Sequence, residues 1–274
     1  MVTGNDADID RKINTQDILR LAICSDLRKN LLITLNEGAK SLGSLRDGLN
    51  ISSTTALHAL KELEKSNLIF KDRDKNYALT NIGRITTLKL LDFGNAAEVL
   101  YKYERFWLEH DLSGIPDHLL EKVGWLREST IIEDAPTDIF KSHIFFVELL
   151  SEAKEIKGVS SIFHPEYPIL IEELVNRKIP VEIIVTHKVF DRILEVAEKI
   201  LKKIISEPNF SLYVLNEDTK IALTLTDSAL HIGLFDNKGT YDYNKDIISY
   251  DDKAISWGRL LYEHYFYKSK KFYL

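Results

Sequence analysis

Residues 51–69 have the sequence ISSTTALHALKELEKSNLI, and residues 70–79 continue it as FKDRDKNYAL. The first stretch places Ala56, Leu60 and Leu63 at the i, i+4, i+7 spacing of one buried helical stripe. The second stretch has two short apolar-bounded segments on either side of a charged tip, which is typical of a β-hairpin. These residues therefore predict a helix followed directly by a hairpin.

The helix within residues 51–69 has a polar outward face. Ser52 or Ser53 can cap its start, and it is predicted to end near Asn67, because Asn tolerates the left-handed conformation found after many helices. Hydroxyl and imidazole groups can reach base edges or phosphates, and a leucine among them can touch a thymine methyl group. We predict that this face contacts DNA through Ser53, Thr54, Thr55, Leu57, His58 and Lys61.

Helical periodicity also precedes this helix. Thr15 is placed to cap a first helix, Asp26 opens a second that ends at Gly38, and Ser41 caps a short third. A charged hairpin is often only solvated, and a serine at a helix start is often only a cap. The order of elements nevertheless favours a winged helix-turn-helix that binds double-stranded DNA. The cations expected to touch phosphates from the wing are Lys71, Arg73 and Lys75.

Residues 51–69, together with Tyr77-Ala-Leu-Thr-Asn-Ile-Gly83, resemble the recognition helix and wing of arsenic-repressor-like winged-helix regulators. The metal-sensing members of that family use Cys, or paired His and Asp, as ligands on their helices. This chain lacks the Cys motif, so no metal site is expected, and no cofactor is predicted. The resemblance places the wing tip at the three cations above, and it implies that the major groove is faced by Ser53, Thr54, Leu57, His58 and Lys61.

The charge distribution fits a chain in which one part binds nucleic acid. The chain has 274 residues, more than one typical domain. Residues 11–85 carry 13 Lys and Arg against 8 Asp and Glu, whereas residues 86–274 carry 23 against 31. A basic N-terminal third on an acidic body is the asymmetry expected of a DNA-binding domain, although a difference of this size also arises by chance.

The cysteine content and the length of the apolar stretches limit the cellular compartments that fit this chain. Cys24 is the single cysteine, which excludes an intramolecular disulfide and a Cys-rich zinc site. The longest apolar stretches, such as residues 144–147, are too short to cross a bilayer, and the acidic first residues are unlike a signal peptide. We therefore expect a cytoplasmic protein with no membrane partner.

Residues 82–110 have the periodicity of one long helix, or of a pair bent at Gly94. This segment either packs on its own domain or forms a dimer contact. A homodimer is predicted because a single helix-turn-helix buries too little DNA for useful specificity. The segment ends in four aromatic residues that offer a contact surface, namely Tyr101, Tyr103, Phe106 and Trp107.

Residues 131–274 alternate between helices and strands. Pro116 begins a helix ahead of them, Thr137 caps an amphipathic helix that includes Ile139, and Asp251 caps the last helix. Strands are predicted over residues 159–163, 181–185, 210–215, 221–225 and 229–235. The unbroken apolar run of the second strand indicates a buried parallel strand, and the last two strands are close enough to form a hairpin.

The predicted fold is therefore an α+β winged helix-turn-helix domain followed by an α/β domain with a mixed sheet. Its predicted parts are a DNA-binding domain over residues 1–85, a helical linker or dimerisation segment over residues 86–130, and an effector or sensor domain over residues 131–274.

Two segments of the C-terminal part, TDSALHIGLF (residues 226–235) and WGRLLYEHYF (residues 257–266), carry a second resemblance. In their order of elements they are similar to the C-terminal domain of archaeal methanogenesis regulatory proteins, which pair it with an arsenic-repressor-like winged helix. The resemblance covers nearly the whole chain and implies a transcriptional regulator. The sheet also resembles one half of a phospholipase D-like fold, as in the sensor domains of some archaeal sugar regulators.

That last resemblance makes a phosphodiesterase or nuclease the rival function. Its chemistry needs a nucleophilic His with a Lys two residues later to hold the phosphate. None of the eight histidines has such a Lys, and the best topological match, His231-Ile-Gly233, has glycine there. The chain also lacks a phosphate-binding Gly-rich loop, an HExxH motif and a GxSxG motif, so we expect no enzyme.

Several side chains near predicted strand ends are candidates for a small-molecule effector site, because sheets of this kind place ligands there. Each is also compatible with an ordinary packed or surface residue. The candidates are His164, Tyr167, His187 and His231. The predicted function is a DNA-binding transcriptional regulator whose C-terminal domain senses a small molecule or mediates assembly. The alternative is a DNA-bound architectural or partner-recruiting protein without an effector.

Overall fold

We analysed the protein in a computed structural model, which describes Arg20 and residues 24–135, 137–138 and 140–273. The predicted first helix with its cap Thr15, and Ile139, lie outside the described residues. The chain divides into two compact units, residues 1–94 and residues 95–274, and each is described by itself.

The described part of unit 1 begins with three helices and a hairpin, in the predicted order. These elements are α1 (Asp26–Asn36), α2 (Leu42–Leu49), α3 (Ser53–Lys65), β1 (Ile69–Lys71) and β2 (Tyr77–Leu79). The two strands pair antiparallel. Serine caps begin all three helices, because the hydroxyl groups of Ser25, Ser41 and Ser52 accept hydrogen bonds from the first-turn amides.

A leucine-rich core holds unit 1 together. Leu31 and Leu32 of α1, Leu45 of α2, and Leu60 and Leu63 of α3 are fully buried against one another. The predicted helix ends are confirmed. Gly38 follows α1 at a φ of 137°, and Asn67 follows α3 at a φ of 57°, both in the region that favours glycine and asparagine.

A long helix, α4 (Asn81–Lys102), follows the hairpin. Thr80 joins its start to the end of α3, since its hydroxyl donates to the Asn67 carbonyl oxygen at 2.6 Å and accepts from the Gly83 amide at 3.0 Å. A β-carbon at Gly83 would collide with the Leu68 carbonyl oxygen, so only glycine fits there. The helix continues through Gly94, so the predicted bend at that residue is wrong.

The long helix ends just before Tyr103 instead, where the backbone leaves helical geometry and the phenol donates a hydrogen bond to the Ser129 carbonyl oxygen.

Two further corrections concern the starts of other helices. Thr137 does not cap the amphipathic helix, which begins at Lys141. Asp134 Oδ1 instead accepts a hydrogen bond from the first-turn amide of Ser142 at 2.8 Å. The helix predicted from Pro116 is one short turn of α-helix followed by a 3₁₀ turn.

The described part of unit 2 is built on one mixed sheet of nine strands, with helices packed on it. The helices are α5 (Glu104–Glu109), α6 (Asp117–Leu120), α7 (Lys141–Glu152), α8 (Tyr167–Asn176), α9 (His187–Ile204) and α10 (Asp252–Phe266), with a 3₁₀ turn at Val123–Leu126. The strands are β3 (His110–Asp111), β4 (Thr130–Glu133), β5 (Ile156–Ser160), β6 (Val181–Thr186), β7 (Phe210–Leu215), β8 (Ile221–Thr226), β9 (Leu230–Asp236), β10 (Tyr241–Ser249) and β11 (Ser269–Lys271).

The strand order is β11-β7-β6-β5-β8-β9-β10-β4, with β3 paired to β9. Strands β5, β6 and β7 are parallel, and the other pairs are antiparallel. The mixed sheet, the parallel β6 and the β8–β9 hairpin are as predicted. The predicted strand over residues 159–163 lies three residues too late, because β5 begins at Ile156. Strands β3, β4, β10 and β11 were not predicted.

Alternate residues of β6 pack on opposite faces of the sheet. Val181 and Val185 join a core with helices α7, α8 and α9, and Ile184 joins a core with α10. Part of the predicted linker packs on the same face of the sheet as α10, since Trp257 Nε1 donates a hydrogen bond to the Leu119 carbonyl oxygen at 2.9 Å. The division into three parts stays a prediction. Among the described residues, no helix is long and apolar enough to cross a membrane.

Candidate functional site

Unit 1 presents the predicted polar face of α3 to solvent. Ala56, Leu60 and Leu63 are buried on the opposite side of the helix. Leu57 is half-buried and therefore belongs to the edge of this face. The exposed members are Ser53, Thr54, Thr55, His58 and Lys61.

The hydroxyl of Thr55 is engaged within the helix cap. Ser52 Oγ lies 2.8 Å from Thr55 Oγ1 and accepts from the Thr55 amide at 3.1 Å. In the part of the chain that the structure describes, the side chains of Thr54 and His58 make no such hydrogen bond to the capping residue. The chemistry that this face offers at the helix start therefore comes from Ser53, Thr54 and His58.

An ion pair fixes α3 to α1. Arg28 Nη1 lies 2.6 Å from Glu62 Oε2, and the Arg28 side chain is only 19% exposed. Hydrogen bonds to charged groups that are partly shielded from water stabilise more than exposed pairs do. The contact joins α3 to α1 beside the exposed face of α3, because Glu62 is one helical turn after His58.

The hairpin tip carries two of the three predicted cations. Arg73 and Lys75 are exposed in the turn, and Lys75 takes a φ of 65°, so its side chain projects from a tight turn. Lys71 instead lies at the end of β1, with Nζ 5.2 Å from the centre of the Tyr77 ring. Only Arg73 and Lys75 thus form the tip itself.

In unit 2, three of the four predicted effector residues lie together. His164, Tyr167 and His231 line a polar pocket of about 430 Å³, between the start of α7 and strands β9 and β10. His187 does not line this pocket. It begins α9 and pairs with Asp191, with 3.1 Å between Nδ1 and Oδ2.

Sequence reasoning missed most of this pocket. His143, Glu166, Tyr241 and Asp246 also line it, and Asp246 and Tyr241 come from β10, a strand that the sequence did not predict. Tyr241 and Tyr243 alternate with polar residues, but Lys245 and Asp246 interrupt this pattern, so the signal for a strand is short and was missed.

Two polar side chains at the base of the pocket are buried together. His231 Nε2 and Asp246 Oδ2 are 3.3 Å apart, and both side chains are less than 10% exposed. His231 Nε2 and Asp246 Oδ1 have no hydrogen-bond partner among the described residues. Buried polar atoms in native proteins are nearly always satisfied by protein, water or a ligand. This pair therefore leaves polar atoms free for hydrogen bonds with water or a small molecule.

Burial shifts the titration of the groups around this pair. Desolvation raises the pKa of Tyr167 and Tyr241 well above the usual value for a phenol, so both are neutral hydrogen-bond donors. Burial, together with the neighbouring His143, lowers the pKa of His164 below its usual value. Its imidazole is therefore more often neutral than an exposed one.

An apolar cavity of about 120 Å³ continues from the polar pocket into the core between the sheet and helices α7, α8 and α9. Aliphatic residues such as Leu170 and Val185 line its interior. The side chains that border both spaces are Phe146, His164, Tyr167, His231 and Tyr241. A pocket of mostly apolar walls with a few convergent polar groups is the usual form of a small-molecule site.

Comparison with known proteins identifies both units. The sequence profile of the N-terminal domain of methanogenesis regulatory protein FilR1 matches residues 16–95, and that of its middle domain matches residues 139–268. The methanogenesis regulatory protein FilR1 of Methanothrix harundinacea (strain 6Ac) is 29% identical over 251 residues. That alignment includes 90% of this chain and 56% of the relative, so the chain spans about half the length of the curated relative it matches.

Two solved structures show weaker likeness. TrmBL2, described as an archaeal chromatin protein with a novel mode of DNA binding, is 17% identical at a TM-score of 0.42, over 87% of this chain and 91% of that one. A phosphatidylserine synthase of Haemophilus influenzae Rd KW20 is 10% identical at a TM-score of 0.41, over 53% of this chain and 39% of that one. At these scores neither likeness carries an argument about this chain.

Proposed function

The chain belongs to the methanogenesis regulatory protein family, and on that premise we propose that it is a transcriptional regulator that binds double-stranded DNA. The observation that carries the proposal is the exposed polar face of α3, directly followed by a hairpin whose turn exposes Arg73 and Lys75. A capped helix with hydroxyl and imidazole groups outward is suited to the major groove, and a basic hairpin beside it is suited to the phosphate backbone.

In this proposal unit 1 is a winged helix-turn-helix in which α3 is the recognition helix and β1–β2 the wing. Thr54 and His58 contact bases, and Ser53 and Lys61 contact bases or phosphates. Thr55 contributes chiefly through the cap, because its hydroxyl is already bonded to Ser52. The wing contacts phosphates through Lys71, Arg73 and Lys75.

We further propose that unit 2 senses a small molecule in the space formed by the polar pocket and the apolar cavity behind it. His164, Tyr167 and His231 remain the proposed contacts from the original four, because they border both spaces. His187 pairs with Asp191 on α9 and is no longer a proposed ligand contact. The parallel β5–β6–β7 strands with helices on them support the proposed kinship with one half of a phospholipase D-like fold.

We also propose a homodimer in the cytoplasm, since two helix-turn-helix units related by two-fold symmetry read successive major grooves about 34–36 Å apart.

The proposed alternative, an architectural or partner-recruiting protein, binds DNA but no effector. A thermal shift against a metabolite panel separates the two functions. A ligand present at 100 times its dissociation constant should stabilise the fold by about 2.7 kcal/mol.

Selection of bound fragments from a random double-stranded DNA library tests the central proposal. The full chain should enrich a pseudo-palindromic sequence. The matched control is the chain with both Thr54→Ala and His58→Ala, which should bind DNA with little enrichment. If the intact chain retains no DNA at low salt, it is not a DNA-binding regulator. Retention without any enriched sequence favours the architectural alternative.

A further inference from the structure

Three metal-ligating side chains meet at the rim of the polar pocket in unit 2. They are His143 in the first turn of α7, and His164 and Glu166 in the loop between β5 and α8. One ligand atom from each lies within 4.8 Å of the corresponding atoms of the other two. His143 Nε2 and Glu166 Oε2 are 3.0 Å apart, and the rings of His143 and His164 have centroids 5.1 Å apart.

These separations suit a tetrahedral divalent ion. Ligand atoms about 2.0–2.2 Å from a zinc ion are about 3.3 Å from one another at tetrahedral angles. The His143–Glu166 separation is already close to that value. The wider separations within the group need imidazole movements of about 1 Å, which side-chain rotation supplies at residues that are only half-buried.

The donor set also selects the class of metal. Two imidazoles and one carboxylate are typical of zinc and neighbouring transition metals, whereas magnesium and calcium prefer oxygen ligands alone. Three protein ligands leave a tetrahedral ion one further position, which water or a small molecule fills. In this protein that position would lie at a pocket lined by polar side chains such as Tyr167 and Asp246.

The independent observation is the buried pair at the base of the same pocket. Among the residues that the structure describes, buried Asp246 Oδ1 has no hydrogen-bond partner, and buried His231 Nε2 makes no hydrogen bond although Asp246 Oδ2 lies 3.3 Å away. They line the pocket that His143, His164 and Glu166 border. Unsatisfied buried donors and acceptors of this kind are expected beside a bound ion, its water or a ligand attached to it.

We propose that His143, His164 and Glu166 bind one zinc-class divalent metal ion. This site differs from the expectation of no metal that the sequence alone supports, because the three residues are brought together only by the packing of α7 on the β5–α8 loop. The proposal deepens the proposed ligand site of unit 2 and does not depend on DNA binding.

Metal titration of the full chain, prepared without a polyhistidine tag and stripped with a chelator, tests the proposal. Calorimetry with ZnCl₂ should give one site per chain, and MgCl₂ should give no comparable binding. CoCl₂ should give the visible absorption of a four-coordinate ion. Glu166→Gln and His164→Ala should each weaken zinc binding by more than the roughly 10–100-fold seen when only an outer-shell partner is lost.

The matched control is His187→Ala, which removes an exposed imidazole that also pairs with a carboxylate in unit 2. It should leave zinc affinity and stoichiometry unchanged. Glu166→Gln keeps the size of the side chain, so it carries the test if an alanine variant fails to fold. Absence of a zinc site in the intact chain, or equal loss in the His187 control, overturns the proposal. Because no DNA is present, either result leaves the proposed DNA-binding function standing.

Discussion

The phenolic oxygen of Tyr241 occupies the space into which any side chain at Gly233 would have to project. Asp246 Oδ1 closes the same space, 2.7 Å from the position of a β-carbon at Gly233. Gly233 is the position two residues after His231, where phospholipase D-like chemistry requires a lysine. Since residues i and i+2 of a strand face the same side, β10 fills the volume that such a lysine would use.

Gly233→Ala should therefore destabilise unit 2. The added methyl group must displace Tyr241 or Asp246, and overpacking of a tight interior costs about 1–3 kcal/mol. Urea unfolding, monitored by circular dichroism, measures the change. The control is Gly94→Ala, where no atom lies within 4 Å of the new β-carbon and the free energy of unfolding should rise by up to about 1 kcal/mol. Equal stability of the Gly233→Ala variant and the wild type would show that Tyr241 moves freely.

Thr54→Ala and His58→Ala should each weaken binding to the selected DNA by about 1–3 kcal/mol and relax the preference at single base positions. The expected reason is loss of a base contact from the outward face of α3. Fluorescence anisotropy on selected and random duplexes measures both effects, with the exposed Glu64→Ala at the far end of α3 as control. An equal loss on both duplexes would argue against direct base contacts.

Removal of Arg73 or Lys75 should lower affinity for all DNA sequences alike and reduce the salt dependence by about one unit of slope per lost phosphate contact. Lys71→Ala should have a smaller effect, because its ammonium group is held over the Tyr77 ring. The control is the exposed Lys199→Ala on α9. An unchanged slope in the triple variant would mean that the hairpin stays in solvent.

Sedimentation should show a particle of twice the 31.5 kDa mass of the chain. Of the four aromatic residues expected to offer a dimer contact, Phe106 is 2% exposed, and Tyr103 and Trp107 pack within unit 2. Tyr101, at 87% exposed, is the aromatic residue that remains available.

We expect Tyr101→Glu to favour the monomer and the similarly exposed Tyr267→Glu to leave the dimer intact. A single 31.5 kDa species at micromolar concentration, free and on DNA, would contradict the dimer.

The stability of unit 2 should fall as the pH drops below about 6.5, partly through His264. Burial, the Lys268 ammonium and His118 lower the pKa of His264, and only Glu217 opposes them. Because the folded-state pKa lies below the unfolded value, the unfolded chain binds more protons in this window. The contribution is present above the unfolded pKa and is lost as the pH falls through the folded one.

His264→Asn should make the urea midpoint less dependent on pH between about 5 and 7. Lys268→Met should act in the same direction, because loss of the nearby positive charge lets the pKa of His264 rise towards its usual value. A steeper dependence in either variant would show that other groups control acid sensitivity.

Local chemistry made unit 1 predictable from the sequence. Ser41 and Ser52 mark helix starts, Gly38 and Asn67 mark helix ends, and the spacing of Leu60 in α3 assigns its buried face. Each of these signals involves residues a few positions apart, so it acts before tertiary contacts form. For the same reason the sequence by itself predicted the buried parallel strand β6 and the β8–β9 hairpin of unit 2.

Only the tertiary structure decided the pocket of unit 2. His143 and Glu166 are 23 residues apart, and Asp246 contacts His231 from a strand whose tyrosine alternation ends before Asp246. Side chains brought together by sheet order and helix packing leave no periodic trace in the sequence, because periodicity reports which face of an element is buried and not what lies opposite it. For that reason His187, which is also near a strand end, was grouped with the three pocket residues although it pairs with Asp191 instead. The contact of Tyr241 with the space above Gly233 was not predicted at all.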